Sequence, residues 1–269
     1  MIEELLIKNK FNINMNLESN HHHDTAIILP ARLGSVRLPR KVLAKIGDKT
    51  MLEWTALNAA KVPNCDMYIA CDGNELAEQV QSWGYNSLIT DPDLGSGTDR
   101  VHAAMCYLSE VENKKYKYIV NVQCDMPFVK PETIEAVVLG LKARSESVDI
   151  ITPIARLTDE NEFNNPNIVK VVVSSNKTRG LYFTRAAAPH NAIKNKISYK
   201  HIGIYGFCAE SLNKFVLLPQ SSLEIAERLE QLRALDNGMK IGVEIVLDYA
   251  LSVDTEEDLI CARNILTNK

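Results

Sequence analysis

Between residue 25 and the helix that Pro131 opens, a short apolar run followed by a helical pattern occurs four times. The runs lie at 25–29, 67–71, 87–90 and 118–122. Such continuous apolar runs suit strands buried on both faces. A strand–helix unit repeated in this way predicts a largely parallel central sheet with helices on both faces. The helix signals agree. Thr50 with Glu53, and Ser221 with Glu224, have capping-box spacing; Thr255 precedes Asp258 by three; Gly84 and Asn237-Gly238 read as stops. After Asp149 the rhythm changes. Strands at 149–153, 169–174, 181–184 and 202–207 follow one another without long helices, predicting a small antiparallel lobe at roughly 153–205. The helix opened by Ser221 is expected to bury Ile225, Leu229, Leu232 and Leu235, with Glu227, Glu230 and Gln231 away from that face.

Composition narrows the function. A chain of 269 residues, 46% apolar, supports a full core. A net charge of -4 without a basic block argues against a nucleic-acid partner. No apolar run reaches the ~18 residues of a membrane span, so no membrane insertion is expected. The six cysteines show no Cys-x-x-Cys pair and read as reduced thiols of a cytoplasmic protein. Residues 1–23, Asn-rich and ending in three adjacent His, read as a disordered leader before a domain at 24–269.

In a parallel sheet, ligands bind beyond the carboxyl ends of the strands. Three stretches fall there. The loop after the first strand carries Arg32, Gly34, Ser35, Arg37 and Lys41, a set of forks, a hydroxyl and a point charge suited to polyphosphate. It has neither dinucleotide-fold nor Walker spacing. The second stretch, 91–100, holds Ser96 and Thr98; the third is Asp125 at the end of the fourth strand. Taken singly, each reads equally well as a solvated connection or a helix cap.

Together they are distinctive. Pro30-Ala31-Arg32, Ser35-Val36-Arg37-Leu38-Pro39, Lys41, Ser96-Gly97-Thr98-Asp99-Arg100, Asn121-Val122-Gln123 and Asp125-Met126-Pro127-Phe128 come in order. Asn165 to Lys170, Leu181-Tyr182-Phe183-Thr184-Arg185, His201 to Gly206, Leu229-Glu230-Gln231-Leu232-Arg233 and Val253-Asp254-Thr255 follow. From about Ala26 to Leu266 the chain resembles the 3-deoxy-manno-octulosonate cytidylyltransferase (CMP-KDO synthetase) family. The resemblance implies a nucleotide-diphospho-sugar transferase fold with a small lobe that dimerises. It also implies transfer of CMP from CTP to the acid sugar KDO, with Mg²⁺, for lipopolysaccharide synthesis. It implies Lys41, Asp125 and Asp254 as catalytic residues, the two Asp as metal ligands. Arg32, Ser35, Arg37, Lys41, Ser96 and Thr98 would bind CTP. Gln123, Arg185, His201, Tyr205, Glu230 and Gln231 would line the sugar pocket. The chain departs from the pattern at Arg40 and Cys124, where the family commonly has Gly, and at Met126, where it commonly has Glu. Two alternatives stay open: a cytidylyltransferase for 8-amino-KDO or sialic acid, and a non-catalytic CTP-binding regulator.

Overall fold

The computed structural model describes residues 23–35, 37–247 and 251–267; the expected leader lies outside them but for His23. The chain divides into two compact units, the first within Met1–Lys117, Asn121–Val129 and Leu251–Lys269, the second within Tyr118–Val120 and Lys130–Ala250.

The first unit begins with β1 (Thr25–Ala31), a 3₁₀ turn at Lys41–Leu43 and a two-residue hairpin, β2 (Lys45–Ile46) and β3 (Lys49–Thr50). Then come α1 (Met51–Ala59), β4 (Asp66–Cys71), α2 (Asn74–Ser82), β5 (Ser87–Ile89) and α3 (Gly97–Glu110). β1 pairs in parallel with β4, and β4 with β5, as the repeated pattern predicts. β6 (Tyr118–Val122), the neighbour of β1, spans the division. β1 and β6 are buried on both faces, which is why they read as unbroken apolar runs. Thr50 caps α1 in a reciprocal box with Glu53.

The second unit holds α4 (Pro131–Arg144), β7 (Ile150–Arg156), α5 (Glu160–Asn164), β8 (Lys170–Val173), β9 (Arg179–Thr184), β10 (Tyr199–His201) and β11 (Ile204–Cys208). α6 (Ala209–Val216), α7 (Ser222–Glu227), α8 (Gln231–Asp236) and β12 (Ile241–Val246) complete it. β12 runs parallel to β7, while β8 with β9 and β10, β9 with β12, and β10 and β11 with β7 pair antiparallel. Because β10 pairs with both β8 and β7, the strands β7, β12, β9, β8 and β10 close into a ring. The chain then returns to the first unit with α9 (Glu256–Thr267).

One sequence expectation fails. The single helix from Ser221 is broken at Arg228, whose φ of 55° and ψ of 48° are left-handed, and Ile225 is 64% exposed. Behind the break is a buried ion pair. Arg233 Nε donates to Glu224 Oε2 at 2.8 Å, and Nη2 to Oε1 at 2.5 Å. Nine residues along a straight helix would separate the two by about 13 Å, so the pair forms only if the chain turns back. The turn also buries Gln231 and leaves Glu227 facing β9 rather than solvent.

Candidate active site

The carboxyl ends of the first unit's strands surround a cavity of about 410 Å³. Pro30, Arg32, Ser35, Arg37 and Lys41 line it from the loop after β1, and Ser96, Gly97 and Arg100 from the start of α3. Gln123, Cys124 and Asp125 follow β6, and Asp254 precedes α9. Eight of the first-unit residues expected from sequence therefore meet in one place. Thr98 does not line the cavity; it is buried, and its Oγ1 accepts from Asn121 Nδ2 at 3.4 Å.

At the centre is an ion cluster. Lys41 Nζ donates to Asp125 Oδ2 at 3.0 Å and to Asp254 Oδ1 at 2.9 Å. Arg37 Nη2 lies 3.1 Å from the same Asp254 oxygen. Burial works against the Lys41 charge, but the two carboxylates outweigh it and raise the ammonium above its usual range. Burial likewise opposes ionisation of Asp254, and Lys41 and Arg37 overcome it, holding the carboxyl below its usual range. Local packing fixes these residues. Val253, wholly buried among Leu38, Ile46, Met51, Leu259 and Ala262, donates its backbone N–H to Asp125 O at 2.8 Å. Asp254 is thereby tied to the strand end that bears Asp125. Asp258 Oδ2 accepts from the backbone of Asp254 and Thr255, and Thr255 Oγ1 accepts from Asp258 N, the capping arrangement read from sequence.

The walls are equally specified. Ser96 caps α3 by accepting from Asp99 N. Gly97 is closely approached: a Cβ there would lie 3.3 Å from both Gln123 Oε1 and Pro30 Cγ. Sequence reasoning passed over Arg100 and Asp72 as site residues. Arg100 is buried and donates to Thr90 Oγ1, Asp91 O and Pro92 O, pinning the 91–95 loop; burial lowers its pKa, and Arg32 adds to the effect. Asp72 accepts from Leu33 N at 2.7 Å. Asp72 ends β4 at the edge where Asp125 ends β6, and that shared position is the signal that could have found it.

The departures have local explanations. Arg40 sits at φ 55° and ψ 32°, a conformation that glycine adopts at low cost, and pairs with Glu75. Cys124 uses the side chain that glycine lacks: its Sγ donates to Pro30 O at 3.1 Å, joining the ends of β6 and β1. Burial, then Asp125, pushes its thiol well up, so it stays protonated. Met126 is buried.

Of the expected sugar residues, Gln123 belongs to the first unit, where its Nε2 donates to Asn121 Oδ1 at 2.9 Å. The others belong to the second. Tyr205 OH donates to Gln231 Oε1 at 3.1 Å, and the His201 and Tyr205 rings lie 5.3 Å apart. Burial pushes His201 down to about 3, so it is neutral, and burial then Glu230 push the Tyr205 phenol up. Gln231 Nε2 is buried and has no hydrogen-bond partner among the described residues. Glu230 opens α8 at its N-cap position. Arg185 is braced: its Nε donates to Glu227 O at 2.8 Å and its Nη1 to Pro166 O at 3.1 Å. Glu227 also accepts from Arg185 N and from Thr184 Oγ1.

Comparison with known proteins accords with this geometry. Residues 26–241 match the cytidylyltransferase family. A 3-deoxy-manno-octulosonate cytidylyltransferase of Bartonella henselae is 42% identical over 243 residues, covering 89% of this chain and 97% of that protein. One of Agrobacterium fabrum is 40% identical over 256 residues, covering 94% and 99%. A solved structure of CMP:2-keto-3-deoxy-manno-octonic acid synthetase complexed with CTP superposes with a TM-score of 0.82. It is 31% identical and covers 91% of this chain and 98% of its own. An acid after β6 and an acid before α9 tied to one loop lysine, on a chain this similar end to end, leave one conclusion: it belongs to the cytidylyltransferase family, among the 3-deoxy-manno-octulosonate cytidylyltransferases.

Proposed function

We propose that the chain transfers CMP from CTP to 3-deoxy-D-manno-octulosonate, releasing pyrophosphate and activating KDO for lipopolysaccharide biosynthesis. The anomeric hydroxyl oxygen of KDO bonds to the α-phosphorus of CTP, and its proton passes to solvent, as the bond from that phosphorus to the bridging oxygen breaks. Pyrophosphate leaves with the electron pair. The observation that carries the site assignment is Lys41 held between Asp125 and Asp254 at the rim of a cavity lined by Arg32 and Arg37. Transfer places charge on the α-phosphoryl group and the leaving pyrophosphate, and pre-placed cations stabilise it there. Lys41, Arg32 and Arg37 take that role, with Ser35 and Ser96 as hydroxyl contacts to CTP.

Asp125 and Asp254 offer hard anionic oxygens within reach of one ammonium, a donor set that fits Mg²⁺ shared with a triphosphate. When bound, the ion would supply further charge neutralisation at the α-phosphate. On the sugar side, Arg185 has donors beyond its two carbonyl contacts for the KDO carboxylate. Gln231 Nε2 is a buried donor that a sugar hydroxyl would satisfy. Gln123, His201, Tyr205 and Glu230 complete the hydroxyl contacts.

Six free cysteines support a cytoplasmic location, and no helix among the described residues is long and apolar enough to cross a membrane. The assembly is a homodimer formed through the lobe at 153–205, where Leu181 and Ile197 are exposed.

The test is pyrophosphate release with CTP, Mg²⁺ and a panel of KDO, 8-amino-KDO and sialic acid. Release with KDO and poor use of sialic acid is expected. Release with another acid sugar but not KDO would move the assignment to that sugar. Release with none would leave a CTP-binding regulator.

A further inference from the structure

β10 and β11 both pair with β7, but in different registers. His201 lies opposite Ile154 and Gly206 opposite Ile151, so five steps along one chain pass three along the other. The surplus is a two-residue bulge, and His201 and Tyr205 stand at its two sides. Bulges of this kind re-aim side chains. Thr152 and Pro153 are the β7 residues that face it. Pro153 has no N–H to give, although its carbonyl accepts from Ile202 N at 3.1 Å. The carbonyl of Ile204 accepts from Thr152 Oγ1 at 2.8 Å. The Ile202 carbonyl lies 3.3 Å from the same hydroxyl.

A hydroxyl has one proton and two acceptor sites. The Thr152 proton is directed to these bulge carbonyls, so its oxygen is left to accept. His201 Nε2 lies 2.8 Å away. Thr152 is wholly buried, and Phe183 and Tyr205 pack their rings against the imidazole, so this contact is shielded from water. Burial that keeps His201 neutral leaves a single proton on the ring, and Thr152 decides which nitrogen holds it. Nδ1 has no hydrogen-bond partner among the described residues.

We propose that Thr152 is a positioning residue. Its hydroxyl accepts from His201 Nε2–H, fixes that tautomer, and so leaves Nδ1 as an acceptor for a hydroxyl of the acid sugar. This rests on the reading of His201 as a KDO contact. The chemistry selects a hydroxyl at that point of the sugar: an ether or a carbonyl oxygen has no proton to give Nδ1.

The experiment uses the full chain labelled with ¹⁵N-histidine, with His201 assigned sequentially. The expected spectrum shows a protonated Nε2 and a bare Nδ1, whose resonance moves when KDO is added. Thr152→Val should raise KM for KDO about tenfold with KM for CTP unchanged, and Thr152→Ser should restore it. A protonated Nδ1 in the wild-type protein overturns the proposal without any variant having to fold. So does an unmoved Nδ1 in a protein that turns over KDO, or a Thr152→Val variant that weakens both substrates equally. If KDO gives no pyrophosphate, the substrate reading fails, and the wild-type spectrum still decides for or against the tautomer.

Discussion

In the first unit, Lys41, Arg37, Asp125 and Asp254 hold one another by opposite charge, and Arg37 and Asp254 are 66% and 36% exposed. In the second, His201, Tyr205, Gln231 and Thr152 are held by directed hydrogen bonds and ring contacts, with His201 kept neutral by burial. Under the proposed function, the difference matches what each region would recognise. A polyphosphate is a diffuse charge with many equivalent oxygens, so a cluster of opposite charges suits it and the exact direction of each donor matters less. Sugar hydroxyls differ only in where donors and acceptors point, so discrimination needs fixed polar groups in a partly dry site.

Replacing Lys41 by Ala attacks the charged region at its centre, and the largest effect is expected there. It removes the cation common to Asp125 and Asp254. Turnover in a pyrophosphate-release assay should fall roughly 10²–10³-fold, while thermal unfolding stays cooperative. A loss of only a few fold would mean that no developing charge depends on Lys41.

A paired exchange tests the contrast directly. Arg37→Lys keeps a charge opposite Asp254 and should change KM for CTP by less than about fivefold, as expected for an exposed pair. Arg185→Lys cannot reproduce the braces to Glu227 O and Pro166 O, and KM for KDO should rise by roughly tenfold or more with CTP unaffected. Equal effects at the two positions would erase the distinction between diffuse and directed recognition.

The smallest expected effect is at Arg40. Arg40→Gly relieves a left-handed residue but loses an exposed pair with Glu75 and loosens the unfolded chain. Stability measured by denaturant titration should move by less than about 1 kcal/mol in either direction, with KM for CTP unchanged. A large change in KM would show that the charge, and not only the shape of the loop, contributes to the nucleotide site.

What the sequence revealed follows from where each structural decision is made. The four strand–helix repeats, the Thr50 and Ser221 boxes and the Thr255 cap are settled by residues three or four apart, and all were readable. So was the convergence of Arg32, Lys41 and Asp125, because a parallel sheet brings every strand's carboxyl end to one edge. The break at Arg228 was not, since it depends on Glu224 and Arg233 meeting nine positions apart. Arg100, Asp72, Thr152 and Glu227 were missed as site residues for a related reason. Each acts on backbone or side chains at least eight positions away, and no local spacing marks Arg100, Thr152 or Glu227, whereas Asp72 is marked by its strand-end position. Gln231 was placed on the polar side of a helix that, once broken, turns it inward.

The surplus between β10 and β11 is two residues, an even number. Strand side chains alternate between faces with a period of two, and a slip of one would invert every residue beyond it. An insertion of two leaves the parity of β11 intact, so Phe207 is buried as it would be in an uninterrupted strand. The detour that carries His201 and Tyr205 is thus an addition that the sheet can carry without re-patterning. Lineages could lengthen or excise it in steps of two while the core stays the same, whereas a one-residue change would be paid for by the whole strand.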